Sequence, residues 1–335
     1  MRITNKMITT KYIRSLGNLS SDLDKLNTQV ASGRKFSKAS ENTSATIKAF
    51  QIRRDLSKVE GYQSNINHAK DFLTNAESAL LHMEELMKTT SEKILFGMNG
   101  TQSQEERKIV ATDLRNIQDQ LLQSLNSSSS NIYYFGGTNT NTKPFTLDVN
   151  GKLQYNNVLL DDSSSLTPEQ QTKLTSDSLY VDIGLNIQFN GSGIDKSTVF
   201  HYSTAGINIV GSGTTNVNGE DLSNNLYDLI GQIASAFEKD DYSFEKMDAY
   251  FGNFQKSSGN IVKAITDIGS KTAYLDFMTE RLGTQTLNMQ ERQLSVEGAD
   301  PTSTIIKFKS QEVAYNAALQ MGTKIIQPSI FDFMS

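Results

Sequence analysis

Three histidines, His68, His82 and His201, are the residues best suited to metal or acid–base chemistry in this chain. An imidazole titrates near neutrality and binds metal through one nitrogen, so its role depends on what stands beside it. Helix-borne zinc ligands stand three or four residues apart, whereas His68 and His82 are fourteen apart. There is no cysteine to complete a ligand set, so neither a thiolate site nor a disulfide framework is available. The spacing predicts surface or seam-edge histidines and no metal or cofactor. No nucleophile elbow occurs, which leaves a Ser–His–Asp arrangement open only among residues remote in sequence.

Two glycine-rich stretches could cradle phosphate. A P-loop needs Gly, four residues, then Gly-Lys-Ser/Thr. In GSGIDKST the second glycine position is Lys196, and in GINIVGSG the lysine position is Ser212. Both fail, and turns between strands account for them. DDSSS at residues 161–165 has carboxylates without calcium-loop spacing and reads as a solvated loop. Catalysis is therefore not expected, and the information must lie in the elements themselves.

Those elements are heptad helices. Tyr12, Leu16, Leu19, Leu23, Leu26 and Val30 alternate by four and three, an a/d seam that stops at Ser32-Gly33. A longer seam runs through Val59, Tyr62, Ile66, Ala69, Leu73, Ala76, Leu80, Met83, Met87 and Ile94, interrupted at Thr90 and ended by Gly97 and the NGT run at 99–101. Val110, Leu114, Ile117 and Leu121 form a third, opened by Glu105-Glu106 at the positive end of the helix dipole. A fourth uses Met247, Phe251, Phe254, Ile261, Ile265, Ile268, Leu275 and Leu282. The last opens at Asp300-Pro301, an N-cap followed by a first-turn proline, and uses Ile305, Phe308, Tyr315, Leu319 and Ile326. Between the third and fourth seams the chain is rich in Gly, Asn, Thr and Ser, with strand-like runs at 153–155, 180–189 and 197–202.

The fold class that follows is mainly α. Long coiled-coil helices form a bundle, the N- and C-terminal helices pair, and a small β-rich domain is inserted in the middle. The expected division is residues 1–45 with 298–335 as a terminal coiled-coil domain, 46–131 with 222–297 as a helical rod, and 132–221 as the insertion. Met and aromatic residues at this spacing read as core rather than as a cofactor box. No apolar run approaches the ~18 residues of a membrane span. The opening residues have no Sec signal pattern. Residues 1–60 carry twelve Lys/Arg against five Asp/Glu within a chain of net charge −5, but these cations are spread one or two per turn, without stacking aromatics. A solvated helix face explains them better than nucleic acid does. The narrow a/d stripes with polar flanks argue against membrane insertion.

The two ends also carry a resemblance. LDKLNTQVASGRKFSKASENTSATIKA, at residues 23–49, is similar to the N-terminal signature of the bacterial flagellin superfamily, where a heptad helix ends in a Ser-Gly-Arg turn. LSVEGADPTSTIIKFKSQEVAYNAALQMGTKIIQPSIFDFM resembles that superfamily's C-terminus. MRITNKMI at the start, NIYYFGGTNTNTKPF at 131–145 and STVFHYSTAGINIVGSGT at 197–214 resemble its hook–filament junction members more than flagellin itself. Residues 39–45 read ASENTSA where the superfamily usually carries Asp-Asp-Pro, and residues 83–94 lack the arginine of flagellin's innate-receptor surface.

The resemblance implies a structural subunit of the flagellar axis, secreted unfolded through the type III channel and located in the extracellular flagellum. It would join a hook-side hook-associated protein to flagellin, with flagellin itself, the bulk filament subunit, as the alternative. Its implied partners are further copies of itself in a ring, both neighbours in the axis, and a cytosolic export chaperone on the C-terminal helix. Neither nucleic acid nor membrane is implied. The expected assembly interface is Leu16, Leu19, Leu23, Leu26 and Val30 on the first helix with Ile305, Phe308, Tyr315, Leu319 and Ile326 on the last.

Overall fold

The first seam forms helix α1 (Asn5–Ser32), which stops where Gly33 takes a φ of 67° and returns its N–H to the Gln29 carbonyl at 2.9 Å. That left-handed C-terminal residue is where glycine costs least. The structure, a computed structural model, describes residues 5–100, 102–161, 166–191, 193–217, 220–239 and 243–325. The remaining helices are α2 (Thr43–Met98), α3 (Gln104–Leu125), α4 (Pro168–Thr175), α5 (Ile207–Val210), α6 (Leu226–Glu238), α7 (Phe244–Glu297) and α8 (Pro301–Ile325). The chain is thus mainly helical, with its β structure confined to the middle. Two compact units result, one of residues 1–60 with 282–335 and one of residues 61–281.

Within residues 61–281 the heptad rows are the core. Ile66, Leu73, Leu80, Met83 and Ile94 of α2 are all at most 1% exposed, and so are Leu114 and Leu121 of α3. Thr90, the polar interruption of the seam, is also buried, because its hydroxyl donates to the Leu86 carbonyl one turn back at 2.7 Å. Helix α2 ends at Met98, within the break expected from Gly97 and the NGT run after it, and Gly97 is its penultimate residue. A Cβ there would stand 2.7 Å from the Phe237 ring of α6. Ser103 then opens α3 with a capping box to Glu106. Helices α3 and α6 pack together, and Arg115 joins Glu238 across them at 2.9 Å. On α7 the buried row is Met247, Phe254, Ile261, Ala264, Ile268, Leu275 and Met278, so Ala264 takes the place expected for Ile265.

The central region is a set of short antiparallel ladders. Strand β1 (Ser128–Ser129) pairs with β2 (Ile132–Tyr133), and β3 (Phe145–Leu147), β4 (Leu153–Tyr155) and β5 (Val158–Leu159) form a meander. Strand β6 (Tyr180–Val181) pairs with β9 (Phe200–His201) around the hairpin of β7 (Phe189–Asn190) and β8 (Gly193–Ile194). Strand β10 (Thr214–Val217) pairs with β11 (Glu220–Ser223). The run at 180–189 is therefore not one strand. Asp182 Oδ1 accepts from the Gly184 N–H at 2.9 Å, and Gly184 turns with φ 87° against the Tyr62 ring. The expected strand at 197–202 likewise gives way to a 3-10 turn at Lys196–Thr198, capped by Asp195. Glycines 191 and 193 serve the β7–β8 hairpin, but the second glycine-rich stretch contains α5 rather than only a turn. Phe145 and Tyr155 fill the meander's core with centroids 5.1 Å apart.

Asp161 corrects the solvated-loop reading; residues 162–165 lie outside the described residues. One Asn225 amide donates to Asp161 Oδ1 at 2.7 Å and to Asp228 Oδ2 at 2.8 Å, so the two carboxyls are held together. Burial, and then the Asp228 charge, push Asp161 up to about 6 despite hydrogen bonds from Ser223 and Asn225 and the nearby Lys152. Burial raises Asp228 as well. A carboxyl whose pKa is raised on folding holds its proton more tightly in the native state. Its contribution to stability is fully present below the unfolded value near 4 and is lost as pH rises towards 6. Asp161→Asn keeps an acceptor for Asn225 and gives Asp228 a donor. It is expected to stabilise the protein by ~1 kcal/mol at pH 7 and by almost nothing at pH 4.5. Urea unfolding of both proteins at the two pH values measures this; an equal difference at both would show that the pair does not share a proton.

Candidate assembly interface

The terminal unit is built by α1 and α8, which pack antiparallel. Tyr12, near the start of α1, donates its hydroxyl to the Ala318 carbonyl at 2.9 Å. At the other end the Ala299 N–H donates to the Gly33 carbonyl and the Lys35 N–H to the Glu297 carbonyl, both at 2.8 Å, framing an antiparallel bridge between Arg34 and Gly298. Asp300 then caps α8, with Oδ1 accepting from the Thr302 N–H, and Pro301 takes the first helical position. The chain reversal at Gly33 and the Asp-Pro break at 300–301 are thus stitched into one corner.

That corner carries the unit's strongest electrostatics. Arg53 of α2 forms a two-point ion pair with Glu297, and the Gln293 amide donates to the same carboxylate at 2.5 Å. Burial works to raise the Glu297 carboxyl; its hydrogen bonds from Arg53 and Gln293 outweigh that and hold it below the usual range. The planar guanidinium matches both carboxylate oxygens, which fixes direction as well as distance.

Of the expected interface residues, Leu16, Leu19, Leu23 and Leu26 are half-buried on one face of α1, together with Tyr12 and Gln29; Val30 is 41% exposed. On α8, Phe308 and Tyr315 are half-buried, whereas Ile305 and Leu319 are 47% and 43% exposed. Ile326 lies outside the described residues. The covered row on α8 is Thr304, Phe308, Gln311, Tyr315, Ala318 and Gly322, spaced by four and three. It lies one residue before Ile305 and Leu319. Its signal is present in the sequence once small and polar residues are admitted to the seam. Gly322 has a specific reason to be there: a Cβ would meet the Tyr12 Oη at 2.2 Å.

The exposure of this pair is its most informative property. Among the described residues no apolar side chain of α1 is buried, and none of α8 is. Met7, Ile8 and Ile13 on α1, and Ile306, Val313 and Met321 on α8, are 43% to 68% exposed. A helix apolar around most of its circumference calls for neighbours on several sides. Among the described residues no helix is long and apolar enough to cross a membrane, and no group of three or more His, Asp or Glu could hold a metal ion.

Comparison with known proteins gives a consistent result. Residues 3–140 match the family model for the bacterial flagellin N-terminal helical region. The flagellar hook-associated protein 3 of Salmonella typhimurium is 24% identical over 349 aligned positions, covering 99% of both chains. The flagellar hook-associated protein 3 of Escherichia coli K12 is 29% identical over 151 positions, 44% of this chain and 46% of that one. Among solved structures, a putative flagellar hook-associated protein from Vibrio parahaemolyticus superposes with a TM-score of 0.60 at 21% identity. The alignment covers 76% of this chain and 99% of the other and shows a shared fold.

Proposed function

We propose that this chain, which is similar to the bacterial flagellin N-terminal region and to flagellar hook-associated proteins 3, is a structural subunit of the bacterial flagellum that joins the hook-side adaptor to the flagellin filament. It is not an enzyme. Its paired carboxylates, Asp161 and Asp228, are engaged by Asn225 and the Leu153 N–H as part of the fold. The terminal segments act as the assembly domain and α8 is the segment an export chaperone covers. Secretion is in an unfolded form, and a ring of copies surrounds the axis. The single observation that carries this reading is the contrast in burial between the two units. Residues 61–281 have a closed core, while α1 and α8 leave apolar side chains open on faces that they do not turn to each other. Neighbouring subunits would cover those faces in a tube.

Deleting the gene tests the role. Cells are expected to keep hooks, to lose filaments and to release free flagellin into the medium. Intact filaments in the deletion strain would sink the junction role. Copy number separates it from the bulk filament subunit: about one ring per flagellum against thousands of subunits.

A further inference from the structure

A groove crosses residues 61–281, built from elements other than α1 and α8. Its floor is one stripe of α7, formed by Lys256, Asn260, Lys263, Asp267 and Lys271 at steps of four, three, four and four. Two depressions, of about 560 and 350 Å³, share Thr175 and Asn208 as a common sill. The walls are hydroxyl- and amide-bearing, from Gln171 through Ser178 on one side and Ser203 through Ser212 on the other. Thr204 Oγ1 is buried in the wall with no hydrogen-bond partner among the described residues.

The charge balance is one-sided. Lys271 is only 8% exposed and is neutralised by Asp267 at 2.7 Å. Asp177 accepts from the Thr138 N–H at 3.0 Å and from its hydroxyl at 2.8 Å. Lys256 and Lys263 are exposed and form no ion pair among the described residues; Lys196 stands 5.7 Å over the Tyr180 ring, which is itself 38% exposed. Lys256, Lys263 and Lys196 thus face a groove in which Asp267 is paired with Lys271 and Asp177 keeps its charge while accepting from Thr138, which leaves an excess of two positive charges.

We propose that this groove binds an acidic polysaccharide, a chain of sugars bearing carboxylates at intervals. Lys256 and Lys263 follow one another at roughly 11 Å along the helix, at 1.5 Å rise per residue, about the length of a disaccharide, and Lys196 lines the neighbouring depression as the third cation. Hydroxyl and amide groups between them suit vicinal sugar hydroxyls, and the half-exposed face of Tyr180 suits the apolar face of a sugar ring. A nucleic acid is a poorer match. Its charges are much denser, at about 3.4 Å per phosphate along one strand, and base stacking calls for several aromatic platforms rather than one. This site is independent of the assembly role: a monomer would bind, and a junction subunit that did not bind sugar would still assemble.

The test uses the full chain as a monomer, with polygalacturonate oligosaccharides, neutral dextran oligosaccharides and single-stranded DNA as probes in affinity electrophoresis and calorimetry. Polygalacturonate is expected to bind, more weakly as salt rises, and dextran is not. Lys256→Glu combined with Lys263→Glu is expected to weaken binding by about tenfold or more, because charge-assisted contacts are lost and reversed. Both side chains are exposed, so the melting profile is expected to stay unchanged; Tyr180→Ala provides a second variant without a charge change and is also expected to weaken binding. Equal binding by the wild type and both variants, no binding of polygalacturonate, or tighter binding of DNA would each overturn the proposal.

Discussion

A chain carrying Leu19→Asp and Leu23→Asp is expected to be secreted yet fail to assemble, with a melting profile for residues 61–281 matching that of the wild type. The two leucines are only half-buried against α8 in the isolated chain, so carboxylates there remain partly hydrated and cost little. The core of residues 61–281 draws nothing from them, since its buried side chains belong to the other unit. In the proposed tube, neighbours seated on the open faces of α1 and α8 would also seal the edges of this half-buried seam. Two carboxylates would then lose most of their water with no cation opposite, at several kcal/mol each. That is enough to lower association by three or more powers of ten at 1.4 kcal/mol per tenfold. Complementation of the deletion strain, with the variant measured in the medium, separates failed assembly from failed export. Ser21→Asp, on an exposed position of the same helix, is the control. Normal swimming with the double variant would remove α1 from the interface.

How much of this was legible depends on what each residue answers to. The heptad rows of α2 and α3 could be read because a buried a/d row obeys a local rule, which side chains such as Leu73 and Leu114 follow, while Tyr62 stays half-buried. Departures arise where a partner distant in sequence decides. Thr90 looks like a break and is buried, because its hydroxyl bonds to its own helix. Gly97 stands next to the helix end as a stop signal would, and also makes a contact that no local rule shows, with Phe237, 140 positions away. On α8 Phe308 and Tyr315 lie on the covered row, whereas Ile305 and Leu319 fall one residue past it, because apolar residues occur nearly all round the helix and Thr304, Ala318 and Gly322 mark the covered face by being small. The central region was legible in kind but not in detail. Strands of two to four residues carry too little alternation to read, and the Thr167–Gln170 capping box that opens α4 was the clearest signal passed over. The Asp161–Asp228 pair could not be read at all, since nothing local brings the two residues together.

The second large effect concerns dynamics. Backbone amides at positions 16–30 and 305–323 of the monomer are expected to exchange with solvent at least a hundredfold faster than those at 66–87. Exchange from a stable helix requires opening, and the free energy of opening follows how much buried surface is lost. Opening α2 near Leu73 or Leu80 exposes side chains that are fully buried, which amounts to unfolding the unit, at ~5–15 kcal/mol for a domain. Opening α1 from α8 exposes half-covered leucines, one tyrosine hydrogen bond and one phenylalanine, with most of each helix already in water. Half of a leucine's burial is worth roughly 1 kcal/mol, and ordering each residue costs about as much before its helical hydrogen bond is counted, so the pair stands only slightly below its open state. The corner at Arg53 and Glu297 lies at one end of the pair, so fraying is expected to begin at Tyr12 and Gly322 and to die out towards Gly33 and Ala299. Assembly would reverse the ranking by covering Ile13, Val313 and Met321, and the same amides would then rank with those of α2. Hydrogen exchange read by mass spectrometry, on the monomer and on assembled junctions, resolves both states. Equal protection of the three segments in the monomer would mean that α1 and α8 are stable without neighbours, and the burial contrast would then no longer support an assembly role.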